Sequence, residues 1–368
     1  MIICRYYLPS LYSLVTNTYK EIRSLVFEVV TILTTRLTFN KPPHLTVTLH
    51  PFHHDTSIMS KLLVIFGATG QQGGSVITSV LNDSELSKTY KLRAITRDPS
   101  AASAQALATK GVEVVKADVD DIKSLKAAMK DANTAFGVTV TVYDQHLKER
   151  EVRQGKALAD AAVAAGVKYI IYSTLDHTGK ISNNKYPGFV SFESKAEVEE
   201  YIRTLPIKSA FFAPGSFMQN FSSNMAPRPV GDGTYAISGF VSPKTKLPCI
   251  DTVGDTGKYV GAILAEPDEY EGKVFSASTD VWTFEEIAEA MSKASGKTVK
   301  YNQLPLDVWR GFLPKGSEGN LVGMFQWLED FGYFGPNTDE KVAWTAKQAR
   351  GKLTTLEKYF EKNPLKLQ

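Results

Sequence analysis

Cysteine is nearly absent from this chain of 368 residues: only Cys4 and Cys249 occur, far apart in sequence. So few thiols exclude a disulfide scaffold and point to a reducing compartment. A surplus of either charge is also missing, since 42 basic residues face 39 acidic ones for a net charge of +3. A whole-molecule field that attracts nucleic acid is thereby excluded, and no helix-turn-helix or zinc-finger pattern accompanies the charge. No apolar run is long enough for a membrane span; the best N-terminal window, residues 24–35, is interrupted by Glu28 and bounded by Arg36. There is no G-x-S-x-G elbow, no H-E-x-x-H and no cysteine set beside a histidine, which removes the familiar hydrolase devices. His146 and His177 read as single loop histidines. Internal repeats and low-complexity tracts are lacking too.

Residues 1–58 differ from the rest. Arg5, Lys20, Arg23, Arg36 and Lys41 outnumber Glu21, Glu28 and Asp55, and apolar residues follow no clean period. The arginines and scarce acids suit a mitochondrial presequence. The favoured reading is a disordered or non-native extension, because "MSKLLVIFGATG" from Met59 has the look of a chain start. "HPFHH" (His50, His53, His54) has no cysteine or acid cluster nearby, so no metal site is expected.

From Lys61 the pattern alternates. Short apolar runs at 61–66, 91–96, 112–117, 134–139, 168–173 and 208–213 are separated by helical stretches, the longest near 149–165. Strands buried on both faces and joined by helices imply an α/β fold, a Rossmann doubly wound parallel sheet of six strands. Beyond Pro214 the texture changes to a smaller α/β C-terminal lobe, so the boundaries read 1–58, 59–215 and 216–368, with the lobe covering the cleft. Helices are expected there at 251–267, at 283–295 with Thr283 and Glu286 spaced as a capping box, and at 346–362.

The first strand runs into "FGATGQQGGS". Gly67 permits a tight turn, Gly70 lets main chain approach phosphate, and Gly73 lets helix pack on strand. Free N–H groups and the helix dipole then meet a pyrophosphate. The loop lacks the Lys-Ser/Thr of a P-loop, which argues against phosphoryl transfer. The second strand ends in "ITRDPS": Arg97 suits the 2′-phosphate of NADP, whereas Asp98 suits the ribose of NAD, and Arg97 at the strand tip favours NADP. After the third strand, Asp118 sits where a carboxylate can accept from the adenine amine.

With "GATGQQGGSV", "AITRDP", "EVRQGKALADAAVAAGVKYIIYST", "FESKAEVEEYI" and "FAPGSFMQNF" in view, the chain resembles the NmrA-like family, atypical members of the short-chain dehydrogenase/reductase superfamily. That resemblance implies NADP contacts from Gly67, Ala68, Thr69, Gly70, Gln71 and Gln72, from Arg97, from Asp118 and Val119, from Thr139 and from Arg153. It also implies that Lys195 of "FESK", with Phe217, Met218, Gln219 and Asn220, flanks the nicotinamide. The segment after Thr139, "VTVYDQ", departs from the family pattern.

Superfamily reductases place a tyrosine four residues before the lysine, as a proton donor. Here that position is Ser191, a far weaker acid, so Lys195 stands as the sole catalytic candidate. Tyr143, Tyr172 or Tyr186 would substitute only if folding brought one to the nicotinamide, and Ser173 lies where a second hydroxyl would orient a carbonyl. Two readings follow. The favoured one is an NADP(H) sensor that regulates transcription or signalling through a protein partner such as a transcription factor, as the resemblance implies, with residues 177–188 and 225–233 as responsive loops. The other is an NADPH-dependent oxidoreductase acting on quinones, enals or secondary metabolites with a non-standard proton donor. Direct nucleic-acid and membrane contacts are not expected; a homo-oligomer is left open. Location reads as cytoplasmic or nuclear, or mitochondrial if residues 1–58 are a presequence.

Overall fold

The computed structural model describes residues 60–367. The expectations for residues 1–58, with Cys4 and the three histidines, lie outside the described residues. β1 (Lys61–Ile65) shows why a strand forms: Leu63 and Ile65 enter one apolar cluster while Val64 and Phe66 enter the other. A strand covered on both sides needs apolar residues at every step. Around it lie β2 (Tyr90–Thr96), β3 (Glu113–Lys116), β4 (Thr134–Gly137), β5 (Tyr169–Ser173) and β6 (Lys208–Pro214). The sheet order is β11-β6-β5-β4-β1-β2-β3, every pairing parallel, with Leu63 opposite both Leu92 and Thr134. The doubly wound reading therefore holds, with seven strands in place of six. The seventh, β11 (Val274–Ala277), arrives from the C-terminal part of the chain, after β7 (Ser216–Phe217), β8 (Arg228–Pro229), β9 (Tyr235–Gly239) and β10 (Lys246–Ile250).

On one face of the sheet lie α1 (Gln71–Asn82) and α2 (Ala102–Ala108), whose Val76 and Leu107 join the first cluster, and on the other lie α3 (Ile122–Ala128), α4 (Leu147–Ala164) and α5 (Ser191–Ile202), which bury residues in the second. α1 carries two glycines, Gly73 and Gly74, in its first turn, worth about 1 kcal/mol each against helix formation. It buries Val76, Ile77 and Val80, each worth roughly 1.5–3 kcal/mol, so tertiary burial outweighs local propensity. α4 carries Gly155 against Val198 of α5, where a Cβ would lie 2.4 Å from Val198 Cγ2. The close seam brings the buried residues of these two helices together.

The chain after Pro214 does two things. It returns to the main sheet, through β11 and through α6 (Thr252–Ala265), whose Tyr259, Val260 and Ile263 join the cluster of Leu63 and Val76. The α1–α6 seam is tight: Gly257 donates its N–H to Ser75 Oγ at 3.0 Å, and a Cβ there would lie 2.3 Å from the Ser75 carbonyl oxygen. It also builds two small sheets, β12-β10-β7 and β13-β9-β8, from β12 (Asp280–Thr283), β13 (Val299–Gln303) and the short strands above. α7 (Phe284–Ser295), α8 (Glu318–Phe331), α9 (Thr338–Gln348) and α10 (Leu356–Lys362) pack with them. The capping box forms as read: Thr283 N donates to Glu286 Oε2 at 2.7 Å, and Glu286 N donates to Thr283 Oγ1 at 3.1 Å. The single helix expected over 346–362 is corrected to two. Between α9 and α10 the chain crosses α6, where the buried Asp255 accepts from Thr354 N at 2.8 Å and from Lys258 Nζ at 2.6 Å. Gly351 takes a φ of +108° there. Among the described residues no helix is long and apolar enough to cross a membrane, and no cluster of side chains fit to hold a metal occurs.

Candidate active site

The glycine loop leaves β1 with Gly67 at φ +62°, and Gly70 N donates to the Gly67 carbonyl at 2.9 Å. At Gly73 a Cβ would sit 2.4 Å from that same carbonyl oxygen and 2.9 Å from Ala68 Cα, so the first turn of α1 lies directly on the loop. Gly67, Thr69, Gly70 and Gln71 are exposed; Ala68 and Gly73 are buried and act through packing. No side chain caps α1 and its first turn holds no acid. The positive helix end thus faces outward without an anion of its own. Gln72 Oε1 is buried with no hydrogen-bond partner. An open main-chain cradle of N–H donors and an uncapped helix start fit a pyrophosphate.

Beyond β2, the two residues that competed in the sequence part ways. Asp98 Oδ1 accepts from Ser100 N at 2.9 Å and from Ser100 Oγ at 2.5 Å, bonds that hold its carboxyl below the usual range. Arg97 is exposed and has no hydrogen bond or ion pair with any described residue. One oxygen of Asp98 is engaged in its own turn, whereas the whole guanidinium is open to fork onto a phosphate. Asp118 Oδ1 accepts from Asp120 N at 3.0 Å, and Val119 packs against the second cluster. Arg153 pairs with Asp120 at 2.7 Å, on α4 beside the same turn.

The carboxyl ends of β1 and β4 lie side by side where the strand order reverses, the crevice in which such sheets hold ligands, and at the far end of this groove, on the carboxyl edge of the sheet, stands a polar network. Lys195 of α5 pairs with Glu151 of α4, whose side chain is 1% exposed against 12% for Lys195. Ser194 Oγ donates to Glu151 Oε2, Thr139 Oγ1 donates to Oε1 at 2.8 Å, and Tyr172 OH meets Thr139 Oγ1 at 3.1 Å. Burial pushes the Glu151 carboxyl up, but the Lys195 ammonium and the hydrogen bonds from Lys195, Ser194 and Thr139 outweigh it and hold the group below its ordinary value. The network therefore climbs from the buried Tyr172 to Lys195, its most exposed side chain. Thr139 turns its hydroxyl into this network.

Ser191 is sealed. Asn320 of α8 accepts from Val190 N and Ser191 N at 3.0 and 2.9 Å and donates to Ser191 Oγ at 2.9 Å. Two of the three substitute phenols are also committed, Tyr172 to Thr139 and Tyr186 to Asp330 Oδ2. Tyr143 is 47% exposed, and its hydroxyl has no partner among the described residues. Ser173 is buried at the end of β5. His177 caps a single turn at Thr178–Ser182, and Cys249 is fully buried, which pushes its thiol up and leaves it a poor redox group.

Of the segment after β6, Phe217 packs half-buried on the main core and Met218 is fully buried. Gln219 spends its amide on α6, donating to Asp251 Oδ1 at 2.8 Å and accepting from Thr252 N at 3.2 Å. Asn220 is half-buried. A hollow of about 240 Å³ lies nearby, between Asp176, Glu199 and Lys341. Burial pushes the Asp176 carboxyl up to about 6, Lys341 at 3.9 Å pulling it down only in part.

Glu151 and Asn320 went unnoticed in the sequence. Glu151 had a signal: it stands in phase with Leu158 and Ala162 on the buried face of α4, and an acid on such a face demands a partner. Asn320 had none, lying 129 residues from Ser191.

The NmrA-like family model matches residues 59–360. An NmrA-like family domain-containing protein of Dictyostelium discoideum is 30% identical over 319 residues, covering 84% of this chain and 100% of its own. The NmrA-like family domain-containing oxidoreductase ptmS of Penicillium ochrochloron is 28% identical, covering 78% and 90%. The crystal structure of NmrA, a negative transcriptional regulator, in complex with NADP superposes with a TM-score of 0.67 at 22% identity, covering 83% and 98%.

Proposed function

Because the chain belongs to the NmrA-like family, we propose that it binds NADP(H) in the groove running from Gly67 to Lys195 and acts as an NADPH-dependent oxidoreductase. The observation that carries this reading is the Lys195–Glu151 pair at the end of the groove. Sinking a carboxylate into the sheet edge costs several kcal/mol of solvation, and such pairs concentrate where charge is used. When bound, the dinucleotide supplies a hydride. The loop amides and the end of α1 would hold its pyrophosphate, and Arg97 its 2′-phosphate. Glu151 holds the lysine in place, and the ammonium stabilises negative charge developing on a carbonyl oxygen. The oxidoreductase name of the Penicillium relative supports the same reading.

The test is anaerobic NADPH oxidation against a panel of quinones and enals. Steady turnover is expected, falling at least a hundredfold in Lys195→Ala while NADPH still binds. Binding without turnover on the whole panel would overturn the proposal.

One observation favours a second reading, in which the protein reports dinucleotide state to a protein partner such as a transcription factor, in cytoplasm or nucleus. Ser191, where a reductase holds its phenol, is sealed by Asn320. NmrA, the negative transcriptional regulator whose NADP complex shares this fold, accords with it. A tenfold preference between NADP+ and NADPH, about 1.4 kcal/mol, would be its signature in titration.

A further inference from the structure

Tyr333, just beyond α8, joins three apolar clusters: that of Met218 and Cys249, that of Phe189 and Phe192, and that of Ala213 and Phe334. Its ring meets Phe192 edge-on at 5.1 Å between centroids, and Phe192 directly follows Ser191. Tyrosines set in apolar surroundings usually end on an acceptor. Tyr259 and Tyr301 do so here, on the carbonyls of Ser278 and Val241. The Tyr333 hydroxyl has no hydrogen bond to any described residue. Phe192 lies three residues before Lys195 on α5, so its ring and the ammonium share one face of that helix. Tyr333 thus stands with Met218 on one side and, across Phe192, the face of α5 that carries Lys195 on the other.

We propose that the Tyr333 hydroxyl is the hydrogen-bond donor that holds the oxygen of a flat, conjugated carbonyl substrate of the quinone class at the Lys195 end of the groove. The proposal rests on the oxidoreductase reading and names the substrate class and a positioning residue. Aromatic rings at its flank suit a planar ligand, and a donor that no described residue occupies suits an acceptor on that ligand's rim. Burial pushes the phenol up, so it stays protonated and donates at any working pH. It orients the oxygen and is not the source of the transferred proton. The C-terminal part of the chain thereby supplies a donor that α5, with Ser191, does not.

Isothermal titration of the full chain with NADP+ present, where no reduction occurs, tests this directly. The probes are 1,4-naphthoquinone and the oxygen-free 1,4-dimethylnaphthalene. Tyr333→Phe keeps the ring and its packing, so the melting temperature, the NADP+ affinity and the hydrocarbon affinity are expected to be unchanged. Naphthoquinone affinity should fall about tenfold, or ~1.4 kcal/mol. Undiminished naphthoquinone binding in Tyr333→Phe would overturn the proposal. So would a loss seen instead in Tyr143→Phe, or a wild-type protein that binds neither probe or both alike. If quinone binding depends on Tyr333 but NADPH is never oxidised, the reductase reading falls and the ligand site stands.

Discussion

The two ends of the groove are built by opposite means. At the phosphate end one run of chain, residues 67–73, makes the turn, opens the cradle and starts α1, and main-chain atoms are the working groups. At the other end the working groups are side chains from the end of β4, from α4, from β5 and from α5, with Asn320 bracing Ser191 from α8. A main-chain site tolerates most exchanges and fails when something intrudes. A side-chain site fails when any partner is withdrawn.

One methyl group should therefore break the phosphate end. In Gly73→Ala the new Cβ meets backbone atoms at 2.4 and 2.9 Å. We expect NADPH binding to vanish from calorimetry and stability to drop by about 3 kcal/mol. Normal binding would show that the helix start can yield. At the opposite end Glu151→Gln keeps the shape and removes only charge. Losing one member of a buried pair costs about 3 kcal/mol in urea unfolding at neutral pH. Because the folded carboxyl lies below its ordinary 4.5, its contribution is present above that pH and is lost as pH falls through the lowered value. The gap between variant and wild type should close in acid; a gap that persists there would mean packing, not charge.

Arg97→Ala sharpens the comparison, since it removes the one side chain that the phosphate end is read to use. NADPH affinity should fall about tenfold, ~1.4 kcal/mol, with NADH unaffected; equal losses would refute the 2′-phosphate assignment. The smallest effect is expected at Asp176, a carboxyl without the partners that Glu151 enjoys. Its folded value is raised to about 6 from 3.8, so stability is fullest below the lower figure and is lost as pH rises through the upper one. Asp176→Asn should raise the melting temperature at pH 8 by the equivalent of about 1 kcal/mol, with the advantage shrinking below pH 6. No gain at pH 8 would mean that Lys341 compensates the charge fully.

The same contrast decides what was legible in the sequence. The strands, the glycine cradle and the Thr283 capping box depend on neighbours in sequence, and each is found as read. The choice between Arg97 and Asp98 stays open in the sequence, which does not show the bonds from Ser100 to the aspartate. Lys195 could be singled out, but its partner Glu151 sits 44 residues upstream and Asn320 far downstream. β11 escaped because a four-residue strand acquires meaning only from β6 beside it. The terminal helix was read as one piece because its period continues through residues that Asp255 pulls out of line.

The α1–α6 seam, with β11, bears on how such a protein can be recombined. A fragment cut at residue 215 would forfeit an edge strand of its own sheet and bare the ridge into which Gly257 fits. Exchanging the C-terminal half between relatives would therefore replace part of the seven-stranded body along with the two small sheets. Chimeras that swap only the stretches between these anchors, such as 225–245 and 304–337, leave the seam intact and offer the route by which new specificity can be grafted onto an unchanged frame.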